Sequence, residues 1–159
     1  MGVRLTRRGR VALGATGIVL ALTAAAIVVT TRGHPIVIPA DPCASPPPLQ
    51  TYAGVTLQPK AMVAFKAAQR IAKGRIEVVQ SYRSCAEQAA ACRRICGNAG
   101  GCPDLCASPG KSYHQLGAAI DISSDSLKAP GVIRALETAG WCQPLPKSDP
   151  GHFSFGGCH

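Results

Sequence analysis

Near the start of the chain the apolar residues neither alternate nor recur with helical spacing; they run together. Val11–Thr31 is 21 residues without a charge, and about 20 apolar residues suffice to cross a bilayer as a helix. Beyond this run the pattern breaks into short pieces. Met62, Phe65, Ala68 and Ala72 recur in steps of three and four, which predicts a helix from Pro59 to Lys73 with Pro59 in its first turn and Gly74 as its stop. Ile76–Val79 predicts a short strand. Ser84-Cys85-Ala86-Glu87 has the form of a capping box and predicts a helix through Ile95. Gly97–Gly110 holds four glycines and two prolines and reads as a loop. Ala118–Ile122 predicts a buried strand, Val132–Ala139 a short helix stopped by Gly140, and Phe153–Phe155 a closing strand. Short strands mixed with helices, without regular βαβ alternation, predict an α+β fold: a small antiparallel sheet with flanking helices.

Charge gives the apolar run a direction. Arg4, Arg7, Arg8 and Arg10 precede it and Arg32 closes it, so the positive-inside rule keeps the front in the cytoplasm and places the rest outside. Ala24-Ala25-Ala26 would also suit a signal-peptide cleavage site, but the apolar run continues through Ile27-Val28-Val29, as in an uncleaved anchor. The expectation is one N-terminal transmembrane helix in the cell membrane, with an extracytoplasmic domain; secretion after signal cleavage is the alternative. The 159 residues carry a net charge of +9 and a mean hydropathy of +0.14, and the N-terminal segment inflates both. From residue 33 onward, twelve Lys and Arg face eight Asp and Glu, a net of +4. Aromatic residues make up 4%, too few for a nucleic-acid platform of stacked rings. Pro35–Pro48 holds six prolines and reads as a semi-rigid spacer. The expected organisation is a basic tail and anchor over 1–32, a Pro-rich linker over 33–54 and one domain over 55–159.

The eight cysteines are 43, 85, 92, 96, 102, 106, 142 and 158. An even count in an exported chain predicts disulfides. As a zinc knuckle, Cys92, Cys96, Cys102 and Cys106 have the wrong spacing, since C-x2-C is the usual form. Cys85, Cys92 and Cys96 lie near one helical face, so they are expected to bond outward, to the Gly-rich loop or to Cys43.

Chemistry concentrates on two of the four histidines. His34 lies in the linker and His159 ends the chain. His114 stands seven residues before Asp121, the one charge in an apolar strand, where an unpaired carboxylate would be costly. Asp121 therefore calls for a cation, either a metal or Arg83. His152 opens the last strand, with Asp149 three residues before it. Two histidines and one carboxylate make three zinc ligands with an open fourth position, the count found in catalytic sites. Asp149 is then placed to act as general base toward a water.

Ser81-Tyr82-Arg83-Ser84 with Gln88, then Ser112-x-His114-x-x-Gly117-x-Ala119-x-Asp121, then Asp149-x-x-His152-Phe153, resemble in order and spacing the zinc D-alanyl-D-alanine carboxypeptidases of the vancomycin-resistance type and related cell-wall endopeptidases. The resemblance covers roughly residues 55–157. It implies one Zn2+ ion held by His114, Asp121 and His152, with Asp149 as catalytic acid/base. It implies further that Arg83 binds substrate or stabilises the oxyanion, and that Gln88 and Ser112 line the substrate cleft. The implied activity is hydrolysis of peptidoglycan stem peptides at the D-Ala–D-Ala bond. Two departures stand out. Where the carboxypeptidase branch has Glu-Pro-Trp-His, this chain has Asp149-Pro150-Gly151-His152. Aspartate there is more like the endopeptidase branch, which keeps an L-Ala–D-Glu-type cut as the alternative; a catalytically weak peptidoglycan-binding module of the same fold is the other. The cysteine-rich stretch 85–106 lies between the family motifs as a local elaboration.

Overall fold

The computed structural model describes residues 36–97 and 106–158. The expected membrane span over 11–31 lies outside them, as do His34, His159, Cys102 and most of the expected Gly-rich loop. Among the described residues no helix is long and apolar enough to cross a membrane.

The elements are short and mixed, as the pattern predicts. Strands β1 (Gln50–Tyr52) and β2 (Val55–Leu57) form an antiparallel hairpin. Ala53 and Gly54 both take positive φ, at 48° and 79°, the conformation that a two-residue hairpin turn requires. This hairpin straddles the boundary expected between residues 54 and 55. Part of the expected linker is therefore structured against the domain: Ile36 is buried with Leu116 and Ala118, and Val37 exchanges hydrogen bonds with the side chain of Gln58.

Helix α1 (Pro59–Ile71) starts at Pro59 as expected and ends two residues before Lys73. Lys73 and Gly74 turn left-handed, with φ of 55° and 76°, and the Gly74 N–H closes on the Gln69 carbonyl. Met62, Phe65, Ala68 and Ala72 are all buried, and this face packs with Ile120, Phe153 and Leu136 into the main core. Strand β3 is Val78–Gln80 rather than 76–79. Ile76 and Glu77 are engaged elsewhere: Gln69 donates to the Ile76 carbonyl, and the Glu77 N–H donates to Ser126 Oγ.

Helix α2 (Cys85–Cys96) opens on the expected capping box: Ser84 Oγ accepts from the Glu87 N–H, and Glu87 accepts from the Ser84 N–H. It buries only Gln88 and Ala91, too little apolar surface to hold it in place. Covalent bonds do so instead. Cys85 joins Cys43 and Cys92 joins Cys106, both directed outward as the spacing implied, and Cys96 is disulfide-bonded as well.

The remaining elements are β4 (Ala119–Ile122), α3 (Ser124–Lys128), α4 (Val132–Thr138), β5 (Trp141–Cys142) and β6 (His152–Phe155). Strands β3, β4, β6 and β5 lie in that order in one antiparallel sheet. Cys142, on the edge strand β5, joins Cys158. Trp141 is 2% exposed and packs on Phe155, so it belongs to the core.

Candidate metal centre

The sheet sets two of the site residues opposite each other. Asp121 on β4 and His152 on β6 are register partners, so their side chains leave the same face. His114 arrives from the preceding turn. In the segment 112–118 the Gln115, Leu116 and Gly117 N–H groups donate back to the carbonyls of Ser112, Tyr113 and His114. Gly117 completes the turn at φ 60°. A Cβ there would lie 2.6 Å from Leu49 Cδ2 and 3.0 Å from the Gln58 nitrogen, so glycine is required for conformation and for space.

The donor atoms converge tightly. His152 Nδ1 lies 2.9 Å and His114 Nε2 3.3 Å from Asp121 Oδ1, and the two imidazole nitrogens are 3.2 Å apart. Ligands about 2.05 Å from a tetrahedral zinc are about 3.4 Å from one another, so the three atoms have the separations of one face of such a tetrahedron. His114 Nδ1 lies 2.6 Å from the Ser81 carbonyl oxygen. A carbonyl can only accept, so Nδ1 carries a proton, and the ring in its neutral form turns an Nε2 lone pair toward the centre. A lone pair facing a carboxylate needs a cation between them. The donor set, two imidazoles and one carboxylate, fits zinc, and the Ser81 carbonyl fixes the orientation of the His114 ring.

The cationic character of the site extends to Arg83. Its Nη2 lies 3.7 Å from Asp121 Oδ2, the oxygen not shared with the imidazoles, so the arginine anticipated for Asp121 is in place and leaves Oδ1 to the two histidines. Arg83 Nη1 donates to Gln88 Oε1 at 2.8 Å, and Gln88 Nε2 donates to the Ala107 carbonyl at 2.7 Å. Gln88 is buried, with both ends of its amide engaged inside the protein, so it braces Arg83. Ser112 is also buried, and its hydroxyl accepts from the His114 N–H.

Asp149 shares a turn with His152, whose N–H donates to the Asp149 carbonyl at 3.2 Å. Its carboxylate is exposed and touches none of the three ligands among the described residues. Gly151 has its own structural reason. The Ile122 N–H donates to the Gly151 carbonyl, and a Cβ at 151 would come within 3.1 Å of the Ile122 oxygen, leaving a tryptophan little room. Two supporting residues escaped the sequence reading. Gln58 reaches both Val37 and the Leu116 carbonyl. Gln115 Oε1 accepts from the Gly110 and Ser112 N–H groups. Neither belongs to a motif; a glutamine in an apolar stretch was the only signal.

The family model described as VanY, D-alanyl-D-alanine carboxypeptidase, matches residues 55–146, more than half of the chain. The chain belongs to the VanY family. Among solved structures, VanYB in complex with D-alanine-D-alanine is similar at 20% identity and a TM-score of 0.51, over 70% of this chain and 78% of that one. A vancomycin-resistance D,D-pentapeptidase VanY in complex with Zn(II) is similar at 20% identity and a TM-score of 0.52, over 70% and 79%. At that identity the likeness establishes a VanY-like fold. No curated protein matches the sequence significantly.

Proposed function

We propose that the chain is a zinc-dependent D,D-carboxypeptidase that hydrolyses the terminal D-Ala–D-Ala bond of peptidoglycan stem peptides. The observation that carries this is the convergence of His114 Nε2, Asp121 Oδ1 and His152 Nδ1, with the His114 tautomer set by Ser81. His114, Asp121 and His152 would hold the zinc, which when bound would supply Lewis-acid polarisation of the scissile carbonyl and a more acidic water. Asp149 takes the proton of the attacking water and delivers it to the leaving amine as the C–N bond breaks. Arg83, held by Gln88, pairs with the C-terminal carboxylate of the stem or with the developing oxyanion. Ser112 holds the turn that carries His114. The VanY family match and the D-alanine-D-alanine bound by VanYB support this substrate class.

The charge-flanked apolar run at 11–31 supports a domain tethered outside the cell membrane by one helix. The deciding experiment incubates the zinc-loaded, oxidised protein with stem pentapeptide and identifies products by mass. Release of D-Ala, abolished by chelator and by Asp149→Asn, is expected. An internal cut would assign the chain to the endopeptidases instead, a result that the shorter Asp149 makes worth watching for. No cleavage of any muropeptide would sink the enzyme reading and leave a binding module.

A further inference from the structure

The exported segment carries a net of +4, which by itself implies little. Its placement does more. Between Asp41 and Glu77 the chain has Lys60, Lys66, Arg70, Lys73 and Arg75 and no acid. The rest of the segment from residue 33 has seven cations against eight acids. The whole positive surplus therefore sits on α1 and the turn after it.

The same unit encloses a groove of about 590 Å³ that shares no residue with the metal centre. Tyr52, from the hairpin tip, and Val63, on the outer face of α1, line it; both are exposed, Val63 at 60%. Lys66, Arg70 and Lys73 line it too, all exposed, and no ion pair engages any of the three among the described residues. Lys66 Nζ stands 4.4 Å from the centre of the Tyr52 ring, a cation–π contact that keeps the ammonium at the groove. Lys66 and Arg70 are one helical turn apart, about 6 Å of rise, and Lys73 follows in the left-handed turn after α1.

We propose that this groove binds a polyanionic chain of phosphodiester-linked units. A row of cations with successive spacing matches charges repeated along a chain. The recess between hairpin and helix admits a strand, whereas a flat bilayer would rest on the rims. Tyr52 and Val63 offer apolar walls to the carbon skeleton between phosphates. Such a contact would hold the domain against an anionic wall polymer while leaving the metal centre free.

The test uses the full chain in zwitterionic micelles, with polyglycerol phosphate as probe, followed by calorimetry at several salt concentrations. The variant Lys66→Gln/Arg70→Gln/Lys73→Gln is expected to lose at least tenfold in affinity. Its slope of log K against log salt should shrink by about 2, at about 0.7 per phosphate contact for a single-stranded polyanion. The charge-matched control Arg93→Gln/Arg94→Gln/Lys147→Gln should stay within twofold of the wild type, and peptidase turnover should be unchanged in both. An equal loss in both variants would reduce the effect to net charge and overturn the groove. Absence of polymer binding at low salt would overturn it too. Binding to phosphatidylglycerol vesicles without binding to the polymer would reassign the surface to a bilayer.

Discussion

Asp121 and His152 face each other across the β4–β6 ladder, with Nδ1 of the imidazole 2.9 Å from Oδ1 of the carboxylate. Two of the three proposed zinc ligands are thus set by sheet register and not by the metal. The core lies apart from them, among Met62, Phe65, Ile120, Leu136 and Phe153. Chelation should therefore abolish turnover without unfolding the domain. Far-UV circular dichroism should be unchanged, and zinc at 100 times its dissociation constant should add about 2.7 kcal/mol of stability by mass action. Loss of the folded spectrum on chelation would show that the ion is structural. His114→Ala should leave less than about half an equivalent of zinc, since two ligands remain of the three that a catalytic site needs.

Asp149 separates catalysis from metal binding. Its carboxylate is exposed and contacts none of the ligands, so Asp149→Asn should retain full zinc and an unchanged melting temperature. Turnover should fall by about 10²- to 10⁴-fold, the usual contribution of a positioned general base. A variant with wild-type turnover would remove Asp149 from the mechanism.

Arg83 depends on Gln88 for its position. Replacing the buried amide by Gln88→Leu removes the acceptor for Arg83 Nη1 and the donor to the Ala107 carbonyl. Leaving a buried donor or acceptor unmade costs about 1–3 kcal/mol, so the domain should be destabilised by that order. Arg83 would also be free to leave Asp121. KM for a stem peptide with a free C-terminal carboxylate should rise more than kcat falls, while zinc content stays at one equivalent. An unchanged KM would mean that Arg83 does not meet the substrate.

The parts of this fold that could be read from the sequence are those with a local cause. The α1 stripe, the Ser84–Glu87 capping box and the apolar strand around Asp121 each need only neighbouring residues, and all are present. The hairpin at 50–57 was missed because Ala53-Gly54 lacks the Asn-Gly or Asp-Gly signature that usually marks such turns. Strand β5 was missed because it is two residues long and exists only by pairing with β6. At the site, spacing left Asp121 between a metal and Arg83, and only the fold brings Arg83 to one carboxylate oxygen and two imidazoles to the other. Gln88 was read as lining the cleft because its motif position gives no hint that Ala107, nineteen residues away, would take its amide.

The capping box ties the acid stability of α2 to the site. Glu87 lies below the ordinary carboxyl value, chiefly because it accepts from the Ser84 main chain and hydroxyl, with desolvation opposing and Arg83 adding a smaller attraction. A group with a lowered folded pKa contributes stability above its unfolded value, near 4.5 here, and loses it as pH falls through the folded value. Glu87→Gln keeps a side chain of the same length without the charge. Its deficit relative to the wild type should be constant above about pH 5 and shrink as pH drops below 4.5, in urea titrations across that range. Ser84→Ala should cost about 1 kcal/mol near neutral pH, the usual value of an N-cap hydroxyl. Because α2 presents Gln88 to Arg83 one turn into the helix, the same substitution should raise KM while leaving zinc in place. A pH-independent Glu87→Gln deficit would show that the cap acts through its neutral hydrogen bonds alone.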